Sequence, residues 1–235
     1  MFHPQGPGFW ELVRQALSST KQGYDLLAPK FEHTPYRTPD QIIQPVLELA
    51  EPYQSALDLC CGTGAATALL AKNARVTAVD FSRGMLDQAK QLLNNPENVT
   101  FIQADALELP IPDQTFDLAV SFGALGHILP KDQERFAAEI YRVLKPNGAF
   151  LTVTSHPPAF WSKEHLFSRL FNAALHLRNT FWPKRFEMYY LKFMSPRIKQ
   201  CFEKAGFQVT FPPTVFKGNL APLIPVVAKK PPIPV

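Results

Sequence analysis

The strongest constraint on this chain is a rhythm: between Ala56 and Thr154, short apolar runs alternate with stretches of helical periodicity. The runs Ala56–Cys60, Val76–Asp80, Val99–Gln103, Phe116–Phe122 and Ala149–Thr154 read as strands. Ala65–Lys72, Arg83–Leu93 and Lys131–Leu144 read as helices between them. Short apolar strands joined by helices are the pattern of βαβ units, so the spacing predicts a mostly parallel sheet with helices on both faces.

The flanks follow different patterns. Phe9, Leu12, Val13, Ala16 and Leu17 fall at helical spacing, and a second helix is expected from Pro39-Asp40 through Ala50, stopping before Pro52. Near the other end, a helix over Pro196–Ala205 closed by Gly206 leads into strands Phe207–Phe211 and Ile224–Lys229, which form an antiparallel pair. Seven strands are therefore expected. Residues 156–195 break the rhythm with a long aromatic and basic insertion.

Composition narrows the class. With 46% hydrophobic and 19% charged residues, the 235-residue chain resembles an ordinary globular protein of one domain. No apolar run approaches the roughly 20 residues that span a bilayer, and Met1–Trp10 lacks the pattern of a secretory signal, so a cytoplasmic protein is expected. Three cysteines, two of them adjacent, make neither a disulfide framework nor a metal-ligand spacing, so no metal is expected. The formal charge of +4 is scattered along the chain, which argues against a nucleic-acid partner. Proline clusters at Pro110/Pro112, Pro157-Pro158 and Pro212-Pro213 mark where elements stop. The tail Lys229–Val235 reads as an extended, solvated end, or as a proline-rich ligand.

Three acidic residues carry the chemistry. Asp58-Leu59-Cys60-Cys61-Gly62-Thr63-Gly64 sits where a strand ends and a helix begins, a place where glycines let backbone approach a ligand. Asp80 ends the next strand, 22 positions later, where a carboxylate can accept both hydroxyls of a ribose or cap the helix that begins near Ser82. Asp105 ends the third strand. The three then share one rim, suited to a ligand with a ribose, an adenine amino group and a cationic amino-acid end.

At these residues the sequence resembles the class I S-adenosylmethionine-dependent methyltransferases, in the branch of the ubiquinone/menaquinone C-methyltransferases. The matching blocks are Leu57–Gly64, Val79–Ser82, Asp105–Pro110, Phe116–Val120 and Leu144–Ala149, in the family's order, with Lys204–Phe207 further on. The resemblance implies a Rossmann-like sheet, S-adenosyl-L-methionine as cofactor and a small-molecule methyl acceptor. It also implies that Asp58, Gly62 and Gly64 border the methionine part, Asp80 the ribose and Phe81 the adenine. Asp105 and Ala106 would meet the adenine edge, and Ser121 the sulfonium end. Cys60, counted with these, stands where the family usually has glycine. A core over residues 53–155 would then follow an N-terminal helical segment, 1–52, and precede the insertion or lid at 156–195 and the terminal helix and strand pair at 196–235.

For the reaction, His127 after the fourth strand is the candidate general base, against a structural histidine ahead of the Ile128-Leu129-Pro130 turn. His156 is a weaker candidate. The acceptor expected is a quinone, a phenol or another apolar ring. The aromatic insertion either lids it or simply packs, and Lys163, Arg169, Arg178, Lys184 and Arg185 either face an anionic substrate or a membrane surface or are a solvated face. Two alternatives compete: a nicotinamide-dependent oxidoreductase, which Gly62–Thr67 fits poorly for want of a third glycine, and an inactive cofactor-binding module. A third is an RNA or protein methyltransferase, RNA being disfavoured by the lack of a dense basic patch, and a redox or nucleophilic Cys60-Cys61 pair is a separate reading. Oligomeric state is not legible.

Overall fold

A computed structural model describes residues 3–182, 185–213 and 216–232. The apolar runs pair into one seven-stranded sheet of order β3-β2-β1-β4-β5-β7-β6. Five strands are parallel: β1 (Ser55–Leu59), β2 (Arg75–Asp80), β3 (Val99–Gln103), β4 (Phe116–Ser121) and β5 (Leu144–Ser155). β7 (Leu223–Lys229) runs antiparallel between β5 and β6 (Gln208–Thr210); its pairing with β6 is the antiparallel pair that the sequence pattern predicts. The order reverses between β1 and β4, which opens a crevice at their carboxyl ends.

Strand alternation divides the core into two layers. Ala56, Ala78, Leu118 and Val120 pack on one face against α3 (Asp40–Leu47), α4 (Ala65–Leu70) and α5 (Arg83–Leu92). Leu57, Leu59, Ala119 and Phe150 pack on the other against α6 (Gln133–Val143) and α8 (Ser195–Lys204), whose Phe136 and Phe202 are fully buried.

The structure departs from the sequence reading in four places. Between α1 (Phe9–Ala16) and α3 lie a helix α2 (Thr20–Leu27) and a 3-10 helix, Ala28–His33, that periodicity did not predict. Strand β5 begins at Leu144 and not at Ala149, because Leu144 pairs with Phe116 before the register shifts to Leu118–Ala149. The shift is taken up by Asn147 at φ 64 and by Gly148, where a Cβ would lie 2.9 Å from the Lys145 carbonyl. Inside the insertion, α7 (Lys163–Phe181) is a helix of 19 residues, capped by the Ser162 hydroxyl on the His165 N–H.

The fourth correction concerns the tail. Lys229 belongs to β7 and reaches Glu51 at 2.6 Å, while Lys230 is buried, donating to the carbonyls of Tyr141 and Leu144 above the Tyr141 ring. The solvated end therefore does not start at Lys229. Lys184 and Ile233-Pro234-Val235 lie outside the described residues, among which no helix is long and apolar enough to cross a membrane.

Candidate functional site

The turn after β1 needs an unusual backbone. Cys60, Gly62 and Gly64 have φ of 55, 54 and 88, three left-handed residues in five, and only glycine adopts that region without cost. Cys60 is therefore the one side chain held there against its preference. The Cys61 N–H reaches the Val79 carbonyl at 3.0 Å, which ties the turn to β2. Gly64 caps α4, and a Cβ on it would lie 3.0 Å from the Leu93 side chain.

Two buried carboxylates flank the turn. Asp58 accepts a hydrogen bond from the Thr67 hydroxyl at 2.6 Å, and among the described residues no basic group pairs with it. Burial raises its pKa to about 7, against the lowering effect of Thr67 and with a smaller push from Asp80. Asp80 is 6% exposed, and its two oxygens receive the N–H groups of Gly62 at 2.9 Å and Ser82 at 2.8 Å. Its pKa rises to about 6, again chiefly through burial. The cap of α5 is Ser82, whose hydroxyl oxygen accepts from the Met85 N–H at 3.1 Å. Asp80 thus keeps lone pairs free for a ligand.

Asp105 is unlike these two. It is exposed, and its carboxylate accepts the Leu107 N–H at 2.9 Å in a tight turn beside buried Ala106. Ser121 is fully buried at the end of β4, and its hydroxyl has no hydrogen-bond partner among the described residues. Asp117, in the Phe116–Val120 block, lies at the opposite end of the sheet. Although burial opposes it, bonds from Lys145 and Ser55 hold its carboxyl at about 2.

Two adjoining cavities follow the rim. The first, of about 100 Å³, is bordered by Asp58, Gly62, Asp80 and Phe122 and walled by Tyr24 and Phe31. The second, of about 170 Å³, reaches Phe81, Asp105 and Ala106. Cys60, Asp80, Phe81 and His127 belong to both. Of the residues singled out from sequence, Gly64 and Ser121 line neither cavity. His156 is also set apart, bonded to the Ser195 hydroxyl at 3.1 Å.

His127 has a defined tautomer. Its Nδ1 faces the Glu187 carbonyl, which can only accept, so Nδ1 carries the proton and Nε2 accepts the Tyr24 hydroxyl at 2.7 Å. Burial lowers its pKa, with the Glu187 carbonyl opposing, and the ring is neutral at physiological pH. Burial raises the Tyr24 phenol, which therefore stays a donor. It also pushes both thiols of Cys60 and Cys61 up, away from the reactive thiolate. No cluster of metal-ligating side chains occurs among the described residues.

The sequence reading missed the cover. Tyr24, Phe31, Tyr36 and Thr38 wall the first cavity from the N-terminal segment. That segment is pinned to the rim by Asp25, which accepts from the Ser82 hydroxyl at 2.6 Å and the Gly84 N–H at 2.9 Å, and by Glu32, which accepts from the Thr63 hydroxyl at 2.6 Å. A signal was present: Ser19 is a helix cap, and Tyr24, Leu27, Ala28 and Phe31 follow at spacings of three, four and seven.

Comparisons with known proteins point to one family. A family described as a methyltransferase domain matches residues 56–148. The demethylmenaquinone methyltransferase of Staphylococcus aureus is 34% identical over 164 residues, 65% of this chain and 67% of that protein. Among solved structures, a SAM-dependent methyltransferase from Methanosarcina mazei aligns with a TM-score of 0.62 at 19% identity, over 80% of this chain and 98% of the other. Phosphoethanolamine N-methyltransferase 2 of Haemonchus contortus, in complex with S-adenosyl-L-methionine, aligns with a TM-score of 0.61 at 21% identity, over 82% and 52%. At such identities the structural likeness speaks for the fold.

Proposed function

We propose that this chain, which belongs to the class I S-adenosylmethionine-dependent methyltransferases, methylates a hydroxylated aromatic ring of the quinol or phenol kind, with His127 taking the acceptor's proton. S-adenosylmethionine is the cofactor. Its family replaces the nicotinamide-dependent alternative. Bound S-adenosylmethionine supplies an electrophilic methyl on a positively charged sulfur, and the transfer is an in-line displacement in which that charge disappears.

The donor set of this chain fits such a ligand. Asp58 is a buried carboxylate with no cation beside it among the described residues, suited to the ammonium of the methionine end, and Asp80 has lone pairs to spare for the ribose hydroxyls. In our reading Phe81, Asp105 and Ala106 hold the adenine, and the backbone of Cys60, Gly62 and Gly64 borders the methionine. Ser121, buried and lining neither cavity, would stand behind the wall at the sulfonium end. The chain's own contribution is then alignment, exclusion of water by Tyr24 and Phe31, and a proton acceptor.

One observation carries the acceptor reading: a phenol hydroxyl, that of Tyr24, already donates to His127 Nε2. An acceptor hydroxyl in the same place loses its proton to Nε2, which makes its oxygen and the ring carbons conjugated with it nucleophilic. The acceptor named for the S. aureus relative, demethylmenaquinone, belongs to this class. The two adjoining cavities, of about 100 and 170 Å³, share the wall formed by Cys60, Asp80, Phe81 and His127, and together follow the rim on which cofactor and acceptor would lie.

The test is turnover by the purified protein with S-adenosylmethionine and a panel of quinols, phenols and amines. We expect methyl transfer to hydroxylated rings alone, abolished by His127→Gln while cofactor affinity persists. Transfer confined to amines, or turnover indifferent to His127→Gln, would sink the proposal.

A further inference from the structure

A surface helix normally turns its apolar stripe inward, but α7 is inverted. Leu166, Leu170, Leu177 and Phe181 recur along one stripe and are 60–79% exposed, while Ser168 is the buried residue of the helix. Its polar face holds it down. Asn172 brackets the backbone of Tyr190, donating to the carbonyl at 2.8 Å and accepting the N–H at 3.0 Å, and Asn179 does the same with Phe186 at 2.8 and 3.1 Å.

Helix α1 repeats the inversion: Gln15 is its buried residue, and Phe9 and Trp10 are exposed. The two helices meet where Trp182 Nε1–H donates to the Leu17 carbonyl and the Arg178 guanidinium to that of Ser18, each at 2.9 Å. The chain has three tryptophans, Trp10, Trp161 and Trp182, and all are exposed on or beside these helices, Trp161 at 91%.

The charge beside this surface is one-sided. Residues 156–195 hold six Lys and Arg against two acidic residues, which accounts for the whole +4 of the chain. Arg169 lies over the Phe160 ring at 5.6 Å, and Lys131, His176, Arg185 and Lys192 line an open groove beside the C-terminal half of α7 in which Glu187 is the one acidic side chain among the described residues. None of these makes an ion pair among the described residues.

We infer that α7 and α1 form a docking surface for an anionic lipid bilayer, with the helices lying in the headgroup plane. Leucine and phenylalanine would enter the acyl boundary, tryptophan N–H groups and basic side chains would stay at headgroup level, and cations would meet lipid phosphates. A second copy on the same surface would set basic rim against basic rim. No described helix is apolar and long enough to cross, so α7, roughly 28 Å long at 1.5 Å per residue, lies along the surface. This inference goes beyond the methyl acceptor and does not depend on it.

Vesicle flotation of the full chain, with tryptophan emission recorded alongside, tests it directly. Binding to vesicles of phosphatidylcholine with phosphatidylglycerol is expected, with a blue-shifted emission and weakening at high salt, and little binding to phosphatidylcholine alone. Leu170→Glu with Leu177→Glu should lower vesicle affinity about tenfold or more, leaving affinity for S-adenosylhomocysteine intact as proof of folding. No flotation, or a double variant that binds like the parent, overturns the inference. A dimer in solution that the double variant dissociates would overturn it too, and assign the surface to self-association.

Discussion

The floor and the cover of the same cavity are held by different means. The floor, from Asp58 to Phe122, hangs on parallel strand register, so Asp58 and Asp80 keep their places through ladders that continue into the core. The cover hangs on side chains. Asp25, Glu32 and Tyr24 hold the N-terminal segment to the rim, and Asn179 fixes Phe186 next to Glu187, whose carbonyl orients His127. A floor built this way is preorganised, whereas a cover held by a few local bonds opens at modest cost.

The sharpest way to break this contrast is to remove a residue from each side. His127→Gln should lower kcat by about 10²- to 10⁴-fold, the usual contribution of a general base, with cofactor affinity nearly unchanged. A matching collapse of affinity in calorimetry would show that His127 belongs to the floor. Asp80→Ala should weaken S-adenosylhomocysteine binding about 100-fold, since it removes a charged acceptor and strands the Gly62 and Ser82 N–H groups.

A smaller effect follows from acidity. Asp58, at about 7, and Asp80, at about 6, both titrate well above the ordinary carboxylate value. In our reading the cofactor's ammonium requires ionised Asp58, so affinity should rise roughly 30-fold from pH 5.5 to 8, with proton release on binding at the lower end. Asp58→Asn should flatten that profile. The sign reverses for the ligand-free fold: because these folded-state pKa values are raised, their contribution to stability is full below about pH 4 and is lost as pH climbs through 6 to 7. Smallest is Asn179→Ala, which should loosen residues 185–190 by about 1 kcal/mol in hydrogen exchange and leave the midpoint of global melting almost unmoved. A large global loss would mean that the cover and the floor fold as one unit.

The same division decides what the sequence revealed. Strands β1 to β4 were legible to within a residue or so, because a buried parallel strand must be an apolar run and a left-handed turn favours glycine. Cys60 is the exception, and its place in the motif gave it away where its identity did not. The cover carried only a helical signal, from Ser19 and the spacing of Tyr24, Leu27, Ala28 and Phe31, with nothing to say what it covers. Gly23 and Pro29 interrupt the helical pattern of Thr20–His33, and the partners of Tyr24 and Asp25 lie 103 and 57 residues away, distances at which local periodicity carries no information. Lys230 failed for a related reason: a charged residue among prolines reads as solvated unless the backbone carbonyls that receive it are known.

Gly84 shows what the bond from Asp25 entails. A Cβ there would lie 2.9 Å from the Asp25 Cα, so α2 and the first turn of α5 touch backbone to backbone, with no compliant side chain between them. The contact leaves no room between α2 and α5 at this point, two residues along the chain from Ser82, whose N–H is held by Asp80. The roof of the crevice thus meets its floor backbone to backbone at Gly84, beside the bonds that Asp25 accepts from Ser82 and Gly84, partners 57 and 59 residues away.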